Sequence, residues 1–143
     1  MIEEAFPKTP TPEYKLSNAI IDDDYGDTTY AFEEKWETWD QIEDWQVAKC
    51  DVLFSFAPPE AAVYYTPRYM NYALDDIDGA VDQETLGYGS GSGDCLAWYL
   101  QAAEKSGFKE TAFNEEQIQV IELFLKELRN DEEYKVTLDV GNN

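Results

Sequence analysis

The chain has 143 residues, with 31 Asp and Glu against 10 Lys and Arg, so its formal net charge is −21, and it contains no histidine. The missing imidazole excludes Ser-His-Asp and Cys-His nucleophile systems and His-containing zinc sites, and the negative charge argues against nucleic acids and anionic membranes as partners. Aromatic residues make up 15% of the chain, which is too rich for a disordered acidic tail and predicts one folded domain over residues 1–143.

The first helix is predicted to begin at residues 11–13, where the hydroxyl of Thr11 can cap the helix and Pro12 occupies its first position. An apolar stripe follows, and three consecutive aspartates and Gly26 then end the helix. The stripe consists of Tyr14, Leu16, Ala19 and Ile20.

Residues 22–44, called the acidic segment below, carry ten acidic residues against one base, Lys35. Trp36 and Trp39 stand three positions apart, which favours two core side chains on one helix face. The alternative is an interface, in which a partly exposed tryptophan anchors the contact and the acidic rim steers a basic partner. On that interpretation the partner-binding residues are Asp22, Asp23, Asp24, Asp27, Trp36, Glu37, Trp39, Asp40, Glu43 and Asp44.

The middle of the chain predicts buried helices. Residues 46–56 are largely apolar and predict one of them. Pro59 is typical of a helix start, and Pro67 predicts that two short helices are separated or kinked there. The core-facing positions of the second helix are Tyr69, Tyr72, Ala73 and Ile77.

The glycine- and serine-rich residues 87–93 predict a flexible loop. We expect Asp94 to cap the helix that follows it through Lys105, with Gly107 as the left-handed residue after its end.

Asn114 and Gln117 form a capping-box pattern at the start of the last long helix. Its apolar positions are Ile118, Ile121, Leu125 and Leu128. Residues 134–140 then alternate between apolar and polar, which predicts a short C-terminal strand, and a frayed tail over residues 130–143 is the alternative. The whole pattern predicts a mainly α fold, a compact single-domain bundle of about five to seven helices.

Two aspartate-rich stretches place oxygen ligands beside a glycine, but neither fits a calcium-binding EF-hand loop. With Gly26 at position 6 of the loop, positions 1 and 12 are Ile21 and Phe32, and both should be acidic. With Gly79 at position 6, these positions are Leu74 and Thr85. The glycine-rich loop also lacks the third glycine of a dinucleotide cradle and the Gly-Lys of a phosphate loop. We therefore expect no metal, no cofactor and no enzymatic activity.

Cys50 and Cys95 stand 45 positions apart, so we expect two reduced cysteines, with a single disulfide as the alternative. Arg68 stands among four tyrosines, which favours a structural ion pair or a stacking contact. The N-terminus lacks the basic region and long apolar run of a signal peptide, and no stretch approaches the ~18 apolar residues of a membrane span. These features predict a cytoplasmic protein.

Residues 59–74 read PEAAVYYTPRYMNYAL, and this stretch resembles the central motif of an uncharacterised bacterial domain family, a PEA-FRYYLPAYM-AL-like sequence. The resemblance extends loosely to residues 2–6, 36–37, 113–117 and 124–125. Val63 and Thr66 depart from the motif, which has an aromatic residue and a leucine at these positions. The resemblance implies a bacterial, cytoplasmic, single-domain helical protein, and it brings no activity or catalytic residues with it.

We expect an acidic interaction protein that binds a basic protein, in the manner of an immunity protein or antitoxin that masks a toxin such as a nuclease. The clustered charge and the lack of a recognisable catalytic pattern favour this hypothesis. One alternative is a housekeeping or regulatory domain whose acidity maintains solubility. Another is a nucleic-acid mimic, which needs carboxylates spaced like phosphates along an exposed ridge.

Overall fold

The computed structural model describes residues 1–81 and 91–141, and the protein is mainly helical in these ranges. They contain eight α-helices and one 3-10 helix and no β-strand, so the predicted helical fold is confirmed. The helices are α1 (Ile2–Ala5), α2 (Leu16–Asp23), the 3-10 helix (Trp39–Gln41), α3 (Asp44–Lys49), α4 (Leu53–Phe56), α5 (Pro59–Ile77), α6 (Gly91–Lys105), α7 (Glu115–Arg129) and α8 (Glu132–Gly141).

Helix α5 lies at the centre of the bundle, where it contacts α3, α6 and the 3-10 helix. All residues from 64 to 70 are buried, and a helix that is buried on every face is a core element. The predicted core positions Tyr69, Tyr72 and Ala73 are fully buried, and Ile77 packs against the core.

The central position of α5 explains why the chain remains helical through Pro67, so the predicted separation into two helices is wrong. A proline inside a helix costs about 3 kcal/mol. Each large side chain that the helix buries on either side of Pro67 stabilises the fold by about 1.5–3 kcal/mol, and several are buried. Burial therefore outweighs the local preference of the proline.

The C-terminal helices α6, α7 and α8 pack against one another. The predicted strand at residues 134–140 is wrong, and so is the frayed tail over residues 132–141, because these residues form α8; residues 142–143 of the predicted tail lie outside the described residues. Tyr134 and Leu138, four positions apart, are each 1% exposed, whereas Val136 between them is 63% exposed. The apolar residues at 134 and 138 fit either period, and docking of this face onto the bundle selects the helix.

Two predicted helix ends are confirmed by their hydrogen bonds. At the start of α7, the backbone N–H of Gln117 donates to Asn114 Oδ1 at 2.9 Å, and the N–H of Asn114 donates to Gln117 Oε1 at 3.0 Å. After α6, Gly107 has a φ of +69°, and the N–H of Phe108 donates to the carbonyl of Ala103 at 2.7 Å. This is the bond pattern of a Schellman C-cap.

The start of α6 differs from the prediction. Asp94 lies in the first turn of the helix and does not precede it, since the helix already includes residues 91–93. The flexible-loop prediction is therefore wrong for residues 91–93, and its remaining part, residues 87–90, lies outside the described residues.

Near the N-terminus, α2 begins at Leu16 and not at residues 11–13. The hydroxyl that was expected to cap it, Thr11 Oγ1, instead donates to the carbonyl of Glu37 at 2.7 Å. The predicted helix over residues 46–56 is two short helices, α3 and α4, which are interrupted after Lys49. The break lies where the carbonyl of Cys50 accepts a 2.6 Å hydrogen bond from Tyr69 Oη.

The two aspartate-rich stretches that resemble calcium loops are helix C-termini. After α2, the N–H of Gly26 donates to the carbonyl of Ile21 at 2.8 Å, and after α5 the N–H of Ala80 donates to the carbonyl of Asp75 at 2.8 Å. Gly79 adopts a φ of +73°, which a residue with a side chain rarely adopts. The glycine in this second stretch therefore serves to end a helix.

Candidate partner-binding surface

The acidic segment follows an irregular path between α2 and α3, with the 3-10 helix Trp39–Gln41 as its regular element. The helical spacing of its aromatic residues therefore does not reflect an α-helix. Contacts with other parts of the chain hold the segment in place instead.

Glu34 attaches the acidic segment to the N-terminus of α2. Its carboxylate accepts hydrogen bonds from the backbone N–H groups of Leu16 (3.2 Å) and Ser17 (3.0 Å) and from Ser17 Oγ (2.7 Å). It also accepts from Trp36 Nε1 at 2.9 Å. A carboxylate at this position satisfies N–H groups that the helix leaves unpaired and interacts favourably with the helix dipole.

Tyr64 of α5 fixes the two tryptophans of the segment. Its hydroxyl accepts from the backbone N–H of Trp39 at 3.0 Å and donates to the carbonyl of Lys8 at 2.8 Å. Its ring stacks against Trp36 with 6.3 Å between the ring centres. Trp39 is 0% exposed, so the core interpretation holds for it and it cannot anchor a partner; Trp36 is half-buried.

Asp44 forms the structural ion pair that was expected for Arg68. Arg68 Nη2 lies 2.6 Å from Asp44 Oδ1, and Arg68 Nε donates to the carbonyl of Ile42 at 2.7 Å. Removal from water and the negative charge of Asp44 raise the pKa of the nearby Asp75 carboxyl, while Arg68 opposes this shift. Asp44 is therefore committed to holding the end of the acidic segment against α5.

The other predicted binding residues differ in exposure and in place. Asp22, Asp23, Asp27, Glu37, Asp40 and Glu43 are exposed, and Asp24 is half-buried. The first group, at residues 22–27, includes the last two residues of α2 and the residues after it, about 12 Å along the helix from the end that Glu34 caps. It does not line the groove described below, so the structure divides the predicted site in two.

Two of these carboxylates are held by neighbouring threonines. Hydrogen bonds from Thr29 lower the pKa of Asp27, and a hydrogen bond from Thr38 lowers the pKa of Asp40. Asp40 also lies 3.5 Å from Lys8 Nζ. Both side chains therefore remain ionised and are oriented by local contacts.

A groove of about 400 Å³ opens where the acidic segment meets α3, and we call it the acidic–aromatic groove. Its lining residues are Glu33, Lys35, Trp36, Gln41, Glu43, Trp45 and Gln46. Only Trp36 and Glu43 of the predicted binding residues line it. Trp45 was missed because the prediction considered only the Trp36–Trp39 pair. Glu33 was counted among the ten acidic residues of the segment but was not included in the predicted binding set.

Trp45 is 39% exposed, and its indole N–H donates to Glu43 Oε2 at 2.9 Å. The rings of Trp45 and Phe32 meet edge to face, with 5.1 Å between their centres. Glu43 is the N-cap residue that precedes α3, and its backbone N–H donates to Gln46 Oε1 at 3.0 Å. The side chains of Glu43 and Trp45 are therefore both held in place at the N-terminus of α3.

Lysines lie over several aromatic rings of the acidic segment. The pairs, with the distance from Nζ to the ring centre, are Lys8 with Trp39 (5.7 Å), Lys15 with Trp36 (4.5 Å) and Lys49 with Phe32 (5.8 Å). Every lysine and arginine of the chain lies within residues 1–81 and 91–141, and none of them is placed over the ring of Trp45. Trp45 is therefore an exposed indole that no cation of the chain covers, and the exposed phenol rings of Tyr25 and Tyr30 in the acidic segment are uncovered too.

The buried thiol and phenol groups beneath this surface have structural roles. Burial raises the pKa of the Cys50 thiol to about 12 and raises the pKa of Tyr65 and Tyr69 above the ordinary value. Cys50 and Cys95 are not joined by a disulfide. Within the described ranges, no three carboxylate or thiol groups converge as metal ligands would, and no helix has the length and apolarity to cross a bilayer.

Comparison with known proteins gives a family and no characterised relative. Neither a curated protein nor a solved structure matches the chain. A family model described as a family of unknown function, DUF6714, matches residues 1–140. The match includes the acidic segment, the motif on α5 and the C-terminal helices, and it confirms the resemblance to an uncharacterised family. The chain belongs to this family of unknown function, DUF6714.

Proposed function

We propose that the chain is a non-enzymatic acidic protein that binds a basic protein, as an immunity protein or antitoxin binds a toxin. The proposal rests on the observation that contacts with the rest of the chain hold the acidic segment in a fixed position. Its backbone is held by Glu34, Tyr64 and the Asp44–Arg68 pair, while Glu33, Glu37, Asp40 and Glu43 remain exposed on it. Carboxylates on a fixed backbone bind with less loss of conformational entropy than carboxylates on a mobile tail.

The physical consequence is fast and salt-dependent association. A surface of one charge sign steers an oppositely charged protein and raises the association rate, and this effect falls as ionic strength rises. A nuclease toxin needs a basic surface to hold its polyanionic substrate, so an acidic inhibitor can cover that surface. This is the reason for proposing a basic toxin, such as a nuclease, as the partner.

The test is capture of the partner from host lysate with two variants of equal charge. In the first, Glu33, Glu37, Asp40 and Glu43 are replaced by their amides; Asp44 is kept because its loss would leave Arg68 buried without its partner. In the control, four exposed glutamates on the opposite end of the chain become glutamine: Glu116, Glu122, Glu127 and Glu132. We expect a basic protein to bind the natural chain and the control at low salt and to be lost from the first variant.

The inhibitor role is tested on the captured protein itself. We expect stoichiometric addition of the chain to abolish its enzymatic activity, and nuclease assays are the first to run. If no basic protein binds at low salt, or if both variants bind equally, the proposal is wrong. If the first variant differs from the natural chain only in its solubility, the result would instead support the alternative that the acidic residues serve only to keep the protein soluble.

A further inference from the structure

We propose that the acidic–aromatic groove binds an arginine side chain of the partner, with the guanidinium over the ring of Trp45 and bonded to Glu43 and Glu33. This assignment rests on the proposed function, because it names the partner's chemical group at that same surface. It also turns a diffuse acidic surface into one defined contact.

The Trp45 ring is a fixed aromatic surface. Its edge is held by the hydrogen bond from its N–H to Glu43 and by the edge-to-face contact with Phe32, yet 39% of the residue is exposed. A cation over an indole face is attracted by the ring quadrupole, by about 0.5–1 kcal/mol at an exposed site. Immobilised tryptophans of this kind are typical anchors of protein interfaces.

Cation–π contacts already occur on aromatic rings close to Trp45 in the sequence. Lysines of the chain itself lie over Phe32, Trp36 and Trp39, so cation–π contacts recur over residues 32–39 of the segment. Trp45 continues this series of rings and carries a carboxylate at its edge, but it has no cation of the chain over it. A cation from a partner would complete the same contact there.

The carboxylates favour arginine over lysine. Glu43 accepts from Trp45 through Oε2, and an ionised carboxylate has further lone pairs that can accept from a guanidinium. Glu33 is exposed at the same groove. A planar guanidinium stacks on an indole and donates to two carboxylates at once, whereas an ammonium group is a compact point charge. Lys35 also lines the groove, and its positive charge opposes any incoming cation.

The experiment is an NMR titration that follows the indole N–H signals, using the blocked peptide acetyl-Gly-Arg-Gly-amide as the probe. We expect a saturable shift of the Trp45 signal, a weaker one with the lysine peptide and none with the neutral citrulline peptide. Glu43→Gln should weaken binding about threefold, and Lys35→Gln should strengthen it about twofold, as for other exposed charge pairs. Trp45→Leu, followed through the indole N–H signal of Trp36 in the same groove, should weaken binding by at least about two- to fivefold, the share of the cation–π contact.

Two matched controls separate the groove from general charge. Trp98→Leu removes another half-exposed tryptophan, 45% exposed and outside the groove, and should leave binding unchanged. Glu116→Gln makes the same charge change as Glu43→Gln at a distant exposed site. The proposal is overturned if the citrulline peptide shifts the Trp45 signal equally, or if Glu116→Gln weakens binding as much as Glu43→Gln.

The two proposals fail in different ways. If the arginine peptide binds at Trp45 but the host contains no basic partner, the groove assignment stands and the proposed function does not. If a basic partner is captured and is retained equally by Trp45→Leu, the proposed function stands and the groove assignment is wrong.

Discussion

Four side chains of α5 donate hydrogen bonds to backbone carbonyls in parts of the chain outside the long helices. These bonds join Tyr64 to Lys8 (2.8 Å), Tyr65 to Tyr14 (2.6 Å), Arg68 to Ile42 (2.7 Å) and Tyr69 to Cys50 (2.6 Å). A buried carbonyl without a donor costs about 1–3 kcal/mol, so each contact stabilises one connection. The tyrosines and arginine of the sequence motif therefore have a structural explanation, which needs no catalytic role.

The first prediction concerns Gly93 of α6, which packs so closely against Tyr134 that there is no room for a side chain. A Cβ added at Gly93 would clash with Tyr134 Oη, whereas one added at Gly91 would meet Asp51 Oδ2 at an ordinary 3.6 Å. Gly93→Ala should therefore lower the free energy of unfolding by about 1–3 kcal/mol. Gly91→Ala should be neutral or stabilising by up to about 1 kcal/mol, because alanine favours the helix. Urea unfolding measures both, and equal stability of the two variants would contradict the packing.

The two cysteines give the second prediction. Cys50 is fully buried and donates to the carbonyl of Leu16 at 3.3 Å, and burial raises its pKa to about 12; Cys95 is half-buried, with its pKa also raised. Because the thiolate is the reactive form, iodoacetamide at pH 8 should modify Cys95 slowly and leave Cys50 unmodified in the folded protein. Mass spectrometry locates the adduct, and a urea-unfolded sample is the control in which both react. Modification of both at equal rates in the folded protein would refute this.

At the scale of secondary-structure elements, the features that depend on neighbouring residues were predicted correctly, and those that depend on distant contacts were not. The capping box of α7 joins residues three positions apart, and the apolar stripe of α7 repeats within one helix, so the sequence alone predicted both. The start of α2 depends on Glu34, 17 positions from Ser17. No local pattern at residues 11–16 indicates which distant carboxylate will cap the helix.

The prediction at this scale concerns the role of Glu34 in capping α2. Glu34→Ala removes the acceptor of two backbone N–H groups at the start of α2 and should lower the free energy of unfolding by about 1–2 kcal/mol. Glu33→Ala, at an exposed neighbouring position, is the matched control and should change stability by less than about 0.5 kcal/mol. Amide hydrogen exchange should show faster exchange at Leu16 and Ser17 in the first variant alone. Similar exchange in both variants would exclude a capping role.

At the scale of the whole molecule, a formal charge of −21 opposes folding through self-repulsion. Salt shortens the screening length from about 30 Å at 0.01 M to about 3 Å at 1 M. Raising NaCl over this range should therefore stabilise the protein by about 1–2 kcal/mol, which corresponds to a rise in Tm of roughly 3–7 °C for a chain of this size. Scanning calorimetry measures it.

The control for the salt effect is the variant with Glu116, Glu122, Glu127 and Glu132 replaced by glutamine. It carries four fewer negative charges and should show a higher Tm at low salt and a smaller increase with NaCl. A Tm that falls with salt in the natural chain would mean that ion pairs such as Asp44–Arg68 outweigh the repulsion.

The sequence by itself determined the helical class, the C-terminal end of α6, the start of α7, the apolar faces of the longer helices and the concentration of charge at residues 22–44. Those properties depend on residues within about one helical turn of each other, or on composition alone. The tertiary structure decided that Pro67 lies inside a helix, that residues 132–141 are helical, that Trp39 is core and that Trp45 is exposed. Each of these outcomes depends on which surfaces meet across the fold, as when Trp39 bonds to Tyr64, 25 positions away. Burial on that scale outweighs local preference, because one buried side chain contributes as much free energy as several residues of helix propensity.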